Sequence, residues 1–248
     1  MLVSGRTCVV TGASSGIGRA IALILNGAGA RVYAIGRQAH ELAAIADQAA
    51  RREGDGEVVP IVADLESDAD LGSLARKVLE AESGLDILVH AAGAIAVGGL
   101  SSLTVSDLDR QYRVNLRAPF EITRTLLPAL RQARGQVVFL NSSAVLHVGA
   151  SNVSYAATKA GLRALADGLR EEVNLDGVRV LTVYVGRTAT PMQETVHERE
   201  GRMYRDELLL RPEDVADVVV SALLLPRTGE VTEVSVRPMS KLPDVTSP

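Results

Sequence analysis

Short apolar runs alternate with amphipathic stretches along the whole chain. The runs that predict β-strands are Thr7–Val10, Arg31–Ile35, Val58–Val62, Asp86–His90, Val137–Leu140, Val178–Val185 and Glu230–Val236. Most of them are continuous stretches of Val, Ile and Leu without alternating polar residues, a pattern typical of strands that are covered on both faces. The pattern therefore predicts a parallel sheet.

Between these runs, apolar residues recur every three or four positions, which is the period of an amphipathic helix. The clearest stretches run from Ile17 to Ala28, Leu71 to Leu79, Leu162 to Val173 and Val215 to Leu223. Seven strands joined by helices predict a doubly wound α/β fold of the Rossmann type, in which one seven-stranded, mostly parallel sheet has helices on both faces. Because no linker, repeat or low-complexity tract interrupts the pattern, residues 1–248 are predicted to form a single domain.

Three stretches fall outside this simple alternation. Asp107 to Arg131 is a long helical pattern. Together with the helix after Tyr155 it carries more apolar residues than one sheet face requires, so both are candidates for a subunit interface. Residues 190–208 are polar, charged and poorly periodic, which is typical of a mobile lid over a site. Residues 238–248 are predicted to form a loosely ordered tail.

Composition narrows the functional classes. The chain has a formal net charge of −4 with mixed signs, which argues against a general nucleic-acid-binding surface. No apolar run approaches the roughly 18 residues that span a membrane, and the first residues show no signal-peptide pattern. The histidines and acids show no metal-ligand spacing. A single cysteine, Cys8, excludes an intrachain disulfide and favours a reducing compartment. Taken together, these features predict a cytoplasmic protein without nucleic-acid, membrane or metal partners.

A glycine-rich run from Thr11 to Gly18 lies between the first predicted strand and the first predicted helix. Its residues expected to contact a nucleotide are Gly12, Ser14, Ser15, Gly16, Ile17 and Gly18. In such a turn the backbone N–H groups and the helix dipole face an anion, and glycine allows the backbone to approach a pyrophosphate. The spacing differs from the common Gly-x-Gly-x-x-Gly, and glycine at this position also serves simply to bend a chain.

The end of the second strand, Ile35-Gly36-Arg37, indicates which dinucleotide would bind. Many folds of this type have an acid there that binds the adenosine ribose 2′-hydroxyl, whereas Arg37 suits a 2′-phosphate, which a guanidinium grips with two hydrogen bonds. Ser14 would add a hydroxyl. The pattern favours NADP(H) over NAD(H), and the alternative is that Arg37 is an ordinary solvated charge at the start of a helix.

Tyr155 and Lys159 lie four residues apart in a predicted helix and therefore share one face. A phenol with a pKa near 10 is a poor base at neutral pH, and a neighbouring ammonium together with a nearby oxidised nicotinamide would lower that pKa by stabilising the phenolate. The segment Asn141-Ser142-Ser143, at the end of the preceding strand, can supply the hydroxyl that holds a substrate carbonyl. Tyr-x-x-x-Lys alone occurs by chance in many helices. Its position after a strand that ends in serine, in a chain with a nucleotide-binding turn, makes it specific.

These motifs resemble the compact, single-domain branch of the short-chain dehydrogenase/reductase family, over roughly residues 5 to 237. The resemblance implies that Tyr155 is the general acid/base, that Lys159 activates it and that Ser142 orients the substrate. It also implies that Asn115 holds a water molecule in a proton relay.

The same resemblance implies further contacts to the cofactor. They are made by Asp64 and Leu65 at the adenine ring, by Ala92 and Gly93 beside the ribose, and by Gly186, Thr188 and Thr190 near the nicotinamide. The chain departs from the family where His90 and Ala91 replace two asparagines and where Val185 replaces a proline. We expect His90 to be structural, whereas substrate contact and an ordinary surface role are both open for His147 and Arg187.

The sequence thus predicts an oxidoreductase that transfers a hydride between NADP(H) and a small carbonyl or secondary alcohol. Two alternatives stay open: an NAD-dependent alcohol dehydrogenase of the same fold, and a nucleotide-binding regulatory protein without turnover. Assembly as a homodimer or homotetramer is expected from the family and from the two apolar helices.

Overall fold

The computed structural model describes residues 3–51, 54 and 56–239. Within that part of the chain the strands are β1 Thr7–Thr11, β2 Arg31–Gly36, β3 Glu57–Val62, β4 Ile87–His90, β5 Gln136–Ser142, β6 Arg179–Val185 and β7 Glu233–Val236. The α-helices are α1 Gly16–Gly27, α2 Ala39–Ala50, α3 Asp68–Ala81, α4 Val105–Tyr112, α5 Ala118–Ala133, α6 Val153–Val173, α7 Pro191–Glu200 and α8 Pro212–Leu223. The predicted alternation of strands and helices is confirmed.

The seven strands form one sheet in the order β3-β2-β1-β4-β5-β6-β7. Each neighbouring pair is parallel, so the sheet is parallel throughout and not merely in most of its strands. Helices α1, α2 and α8 bury their apolar faces on one side of the sheet. Helices α3, α5 and α6 bury theirs on the other, which explains the continuously apolar strands.

The chain reverses its direction of winding between β1 and β4. From β1 it runs outward through β2 to β3, and it then returns to place β4 on the other side of β1. In open α/β sheets such a reversal opens a crevice beyond the carboxyl ends of the strands, and that crevice is where ligands bind. The topology therefore places the candidate site at the ends of β1 and β4.

The long helical pattern from Asp107 to Arg131 is not one regular helix. A π-helical turn, Arg113–Arg117, joins α4 to α5. Three apolar side chains on α4, Val105, Leu108 and Tyr112, are exposed and follow each other at helical spacing. Assembly through this surface stays a prediction.

Other element bounds also differ from the sequence prediction. Strand β7 begins at Glu233 and not at Glu230, because the Glu230 carboxylate accepts a hydrogen bond from the Val180 N–H at the sheet edge. The predicted lid, residues 190–208, contains the helix α7, which its apolar periodicity did not indicate. Of the predicted tail, residues 240–248 lie outside the described part of the chain.

Candidate active site

One cavity of about 750 Å³ opens at the carboxyl ends of the central strands. Of the residues predicted for the site, those that line it are Gly12, Ser14, Ser15, Gly16, Ile17, Gly18, Arg37, Asp64, Leu65, Ala92, Gly93, Ser142, Tyr155, Lys159, Gly186, Thr188 and Thr190. The topology thus brings together segments from the whole length of the chain, because each of them follows the end of a parallel strand. The volume of the cavity is in the range of small-molecule and cofactor sites.

The glycine turn forms a cradle that a side chain would fill. Gly12 and Gly16 have positive φ angles of +67° and +53°. A Cβ atom on Gly12 would lie 2.7 Å from the backbone nitrogen of Ala92, and one on Gly18 would collide with the carbonyl oxygen of Gly12. The backbone at the start of α1 is therefore bare and close-packed, as the approach of a pyrophosphate to a helix N-terminus requires.

Charged side chains surround the end of the cavity beyond β2 and β3. Arg37 follows β2, and its guanidinium Nη1 lies 4.0 Å from Oε1 of Glu66. The same oxygen lies 3.3 Å from Nε of Arg110 on α4. Asp64 is held by its backbone, because its N–H donates to the carboxylate of Asp70 at 2.8 Å. This end can bind an anion at Arg37, as a 2′-phosphate site requires.

Lys159 is buried at the opposite end of the cavity, with 3% of the residue exposed. Its Nζ donates to the backbone carbonyl of Leu140 at 2.8 Å and lies 5.9 Å from the centroid of the Tyr155 ring. Burial lowers the pKa of Lys159 to about 8. The amine is thus fixed between the end of β5 and the phenol one helical turn away.

Burial dominates the pKa of the Tyr155 phenol in the protein alone. Burial raises the pKa of the phenol to about 12, and a hydrogen bond with the Ser142 side chain offsets only part of that rise. Lys159, whose Nζ donates to a backbone carbonyl and lies 5.9 Å from the centroid of the phenol ring, is not among the causes of this shift. At neutral pH the Tyr155 phenol is therefore protonated.

Ser142 is held at the last position of β5. Its Oγ accepts a hydrogen bond from the N–H of Ala144 at 3.1 Å, and its own N–H donates to the side chain of Asn141 at 2.8 Å. Asn141 in turn donates to the carbonyl of Lys159 at 3.1 Å. The strand that carries the serine and the helix that carries the tyrosine and lysine are thereby joined.

Asn115 lies in the π-helical turn and does not line the cavity. Its amide nitrogen donates to the carbonyl of Ala94 at 2.8 Å and to Oγ1 of Thr158 at 3.0 Å, and its oxygen accepts from the Ala94 N–H at 2.7 Å. Thr158 donates to the carbonyl of Tyr155 at 2.9 Å. The side chain therefore positions the loop after β4 and the helix turn that carries the tyrosine. Both of its amide hydrogens are used for this, and the water-holding role implied by the resemblance stays a prediction.

His90, at the end of β4, faces the core. Its Nε2 lies 2.8 Å from Oγ1 of Thr123, and its ring stacks on Phe139 with 5.0 Å between centroids. Burial lowers the pKa of His90 to about 3, so the ring is neutral at physiological pH. These contacts agree with the structural role that we expected. Cys8 is also buried, and burial raises the pKa of its thiol, which keeps it unreactive.

The loop after β6 closes the remaining side of the cavity. The Thr188 hydroxyl donates to the carbonyl of Gly186 at 3.1 Å, and Thr190 caps α7 by accepting from the Gln193 N–H. A parallel bridge pairs Thr188 with Leu210, so the two ends of the lid segment meet. Arg187 lines the cavity and is paired with Glu200 at the end of α7, at 2.8 Å.

Sequence reasoning missed Glu66, Arg110 and Glu200, all of which line the cavity. Glu66 directly follows Asp64 and Leu65, which were predicted to contact the cofactor, so its position in the chain could have indicated that it lines the cavity. Arg110 is brought to it by tertiary structure from another helix. Within the described residues, no cluster of three or more His, Cys, Asp or Glu side chains could hold a metal ion. No helix in the described ranges has the length and apolar character needed to cross a bilayer.

Comparison with known proteins agrees with this geometry. A family model described as short chain dehydrogenase matches residues 6–201. The chain is 34% identical over 241 residues to an uncharacterized short-chain type dehydrogenase/reductase of Sinorhizobium fredii, covering 94% of this chain and 92% of that protein.

Solved structures match nearly end to end. An alcohol dehydrogenase of the archaeon Thermococcus sibiricus, complexed with 5-hydroxy-NADP, matches with a TM-score of 0.87 at 26% identity. The match covers 97% of this chain and 100% of the dehydrogenase chain. A metagenomic short-chain oxidoreductase in complex with NADP has a TM-score of 0.83 at 31% identity, with the same coverage. Because the family model spans most of the chain and the relatives match over nearly its full length, this protein is a member of the short-chain dehydrogenase/reductase family of oxidoreductases.

Proposed function

We propose that this protein uses NADP(H) to interconvert a carbonyl group and a secondary alcohol on a small molecule, with Tyr155 as the general acid/base. One observation carries the proposal: Ser142, Tyr155 and Lys159 line the same cavity as the glycine turn. A hydroxyl, a phenol and an amine at one end of a nucleotide-shaped cavity are the groups that proton transfer beside a nicotinamide requires.

The residues present fit the dinucleotide. The bare cradle at Gly12, Gly16 and Gly18 suits the pyrophosphate, and Arg37 suits the 2′-phosphate. Two of the similar solved structures are described as complexes with NADP or a 5-hydroxy derivative of it. When bound, the nicotinamide supplies a hydride to the carbonyl carbon in reduction and accepts one in oxidation.

The chain itself supplies the proton and the orientation. Because burial raises the pKa of Tyr155 to about 12, its phenol carries a proton at neutral pH and can donate it to a carbonyl oxygen. Ser142 orients that oxygen by a second hydrogen bond. Lys159 positions the phenol and supplies a positive charge below pH 8.

Asn115 acts in this proposal as a positioning residue. Its bonds to Ala94 and to Thr158 hold the loop after β4 against the helix turn that carries Tyr155. Orientation of the reacting groups, more than unusual reactivity, then supplies much of the rate.

The test replaces Tyr155 by Phe, which removes the transferred proton and keeps the ring. NADPH oxidation against a panel of ketones and aldehydes should fall by about 10²–10⁴-fold, the range for a general acid/base group, while NADPH still binds. Tyr112→Phe, an exposed tyrosine on α4, is the matched control and should keep the wild-type rate. Near-normal rates in Tyr155→Phe would refute the role. NADPH binding without turnover of any carbonyl or alcohol in the wild-type protein would favour the regulatory alternative.

A further inference from the structure

Glu66 stands between two arginines at the adenosine end of the cavity. Its Oε1 lies 3.3 Å from Nε of Arg110 and 4.0 Å from Nη1 of Arg37. All three residues line the cavity. The shorter contact is a hydrogen bond to Arg110, and the longer one is an ion pair without a hydrogen bond. One carboxylate oxygen is thus shared unequally by two cations.

The backbone of Glu66 is fixed, whereas its side chain can move. The Glu66 N–H donates to the Asp64 carboxylate at 3.0 Å, and the next residue, Ser67, caps α3. The side chain itself is 30% exposed, and those of Arg37 and Arg110 are 60% and 54% exposed. Exposed ion pairs of this kind are weak and exchange partners at little cost. The carboxylate can therefore shift towards either arginine while its attachment point stays in place.

A phosphate that arrives at Arg37 meets this carboxylate as a competitor of like charge. The 2′-phosphate and the Glu66 carboxylate cannot both lie close to Arg37 without repulsion. Arg110 offers the carboxylate another partner, to which it is already hydrogen-bonded. A cofactor that carries a 2′-hydroxyl in place of the phosphate meets no such competition.

On the basis of the proposed NADP(H) dependence, we propose that Glu66 sets the preference between NADPH and NADH. Its carboxylate lowers the affinity of Arg37 for the 2′-phosphate, and Arg110 limits that effect by drawing the carboxylate away. Glu66 and Arg110 are thus specificity-determining residues, and Arg110 acts through Glu66.

The experiment measures dissociation constants of NADPH, NADH, adenosine 2′,5′-bisphosphate and adenosine 5′-monophosphate by calorimetric titration. Turnover is not needed for any of these readouts. Glu66→Gln keeps the shape of the side chain and removes its charge. It should tighten binding of NADPH and of the bisphosphate by about two- to fivefold, the scale of one exposed ion pair, and should leave NADH and the monophosphate within twofold of wild type. Glu80→Gln, an exposed position on α3 away from the cavity, is the control for net charge.

A double-mutant cycle separates action through Glu66 from direct contact with the phosphate. Arg110→Ala should weaken NADPH binding about two- to fivefold in the wild-type background, because the carboxylate then moves to Arg37. In the Glu66→Gln background the same substitution should change NADPH binding by less than twofold. An equal loss in both backgrounds would mean that Arg110 contacts the phosphate itself, and it would overturn the inference.

The two proposals fail in different ways. If NADPH binds and Glu66→Gln leaves its affinity unchanged, the inference is wrong and the proposed function stands. If the wild-type protein binds NADH but neither NADPH nor the bisphosphate, NADP(H) dependence and the inference both fall. Arg37→Ala completes the set, and it should weaken NADPH binding more than NADH binding.

Discussion

At one end of the cavity the Lys159 amine beside Tyr155 is buried and bonded to a backbone carbonyl, whereas at the Arg37 end the charged side chains are partly exposed and paired with one another. Lys159 is held by the carbonyl of Leu140, while Arg37 lies 4.0 Å from a carboxylate that it shares. Burial shifts the pKa values of the first set and fixes its geometry. The exposed set is free to rearrange and is accessible to salt. The residues proposed for proton transfer and those proposed for cofactor choice therefore lie in environments that respond differently to substitution, pH and ionic strength.

The largest effect should come from removing the buried amine. Lys159→Met should lower kcat/KM by about 100-fold, since a preorganised charge next to the phenol is lost. Lys77→Met, at an exposed site on α3, should leave it unchanged. The pH profile adds a second measurement. Because the pKa of Lys159 is lowered to about 8, the ammonium of the free enzyme loses its proton as the pH rises through that value. Wild-type kcat/KM for reduction should therefore fall above pH 8, and this fall should be absent in Lys159→Met. Its persistence in the variant would assign the titration to another group.

An intermediate effect should come from filling the glycine cradle that joins the two ends. A Cβ on Gly18 would collide with the Gly12 carbonyl, so Gly18→Ala must displace the turn. We expect about a tenfold weaker binding of both NADPH and NADH and a loss of roughly 1–3 kcal/mol in the free energy of unfolding, as overpacking causes. Gly72→Ala is the control, because nothing lies near a Cβ at that exposed helical position and the substitution should stabilise the protein slightly. Unchanged binding and stability in Gly18→Ala would contradict the packing of the turn.

The smallest effect should come from a change of ionic strength, which should alter cofactor binding at the Arg37 end more than turnover at the Tyr155 end. Raising salt from about 0.01 M to about 0.5 M screens exposed charges strongly and buried ones weakly. The dissociation constant of NADPH should rise severalfold, that of NADH should rise less, and kcat at saturating NADPH should stay within twofold. Equal salt dependence of the two cofactors would contradict the assignment of Arg37 to the 2′-phosphate.

Most of the fold could be predicted from the sequence, because strand burial and helix periodicity are local patterns. The runs Cys8–Val10 and Val137–Leu140 are apolar at every position, and the helices on the two faces of the sheet bury them. Helix α7 was not predicted because its apolar residues do not recur at helical spacing, whereas its first and last residues are typical of helix ends. Thr190 caps its start, Pro191 occupies its first position and Gly201 ends it with a φ of +65°.

The sequence predicts many of the residues that line the cavity, but not their burial, hydrogen bonds or pKa values. Spacing shows that Tyr155 and Lys159 share a helix face, but it does not show the burial that raises the pKa of the phenol in the protein alone. Spacing likewise does not show that Asn115 spends both amide hydrogens on protein partners. The contact between Glu66 and Arg110 joins the turn before α3 to helix α4, and only the packed tertiary structure brings these two segments within hydrogen-bonding distance.

The bridge between Thr188 and Leu210 has a consequence for how this scaffold diversifies. The Ala189 N–H donates to the carbonyl of Leu210, and the Leu210 N–H donates to that of Arg187, so the intervening segment leaves and re-enters the domain at one point. Because its two ends are paired with each other, this segment can be lengthened, shortened or replaced without shifting the strands beneath it. Changes of sequence in this segment can therefore alter which ligands fit the cavity, while Ser142, Tyr155 and Lys159 beneath it keep their positions.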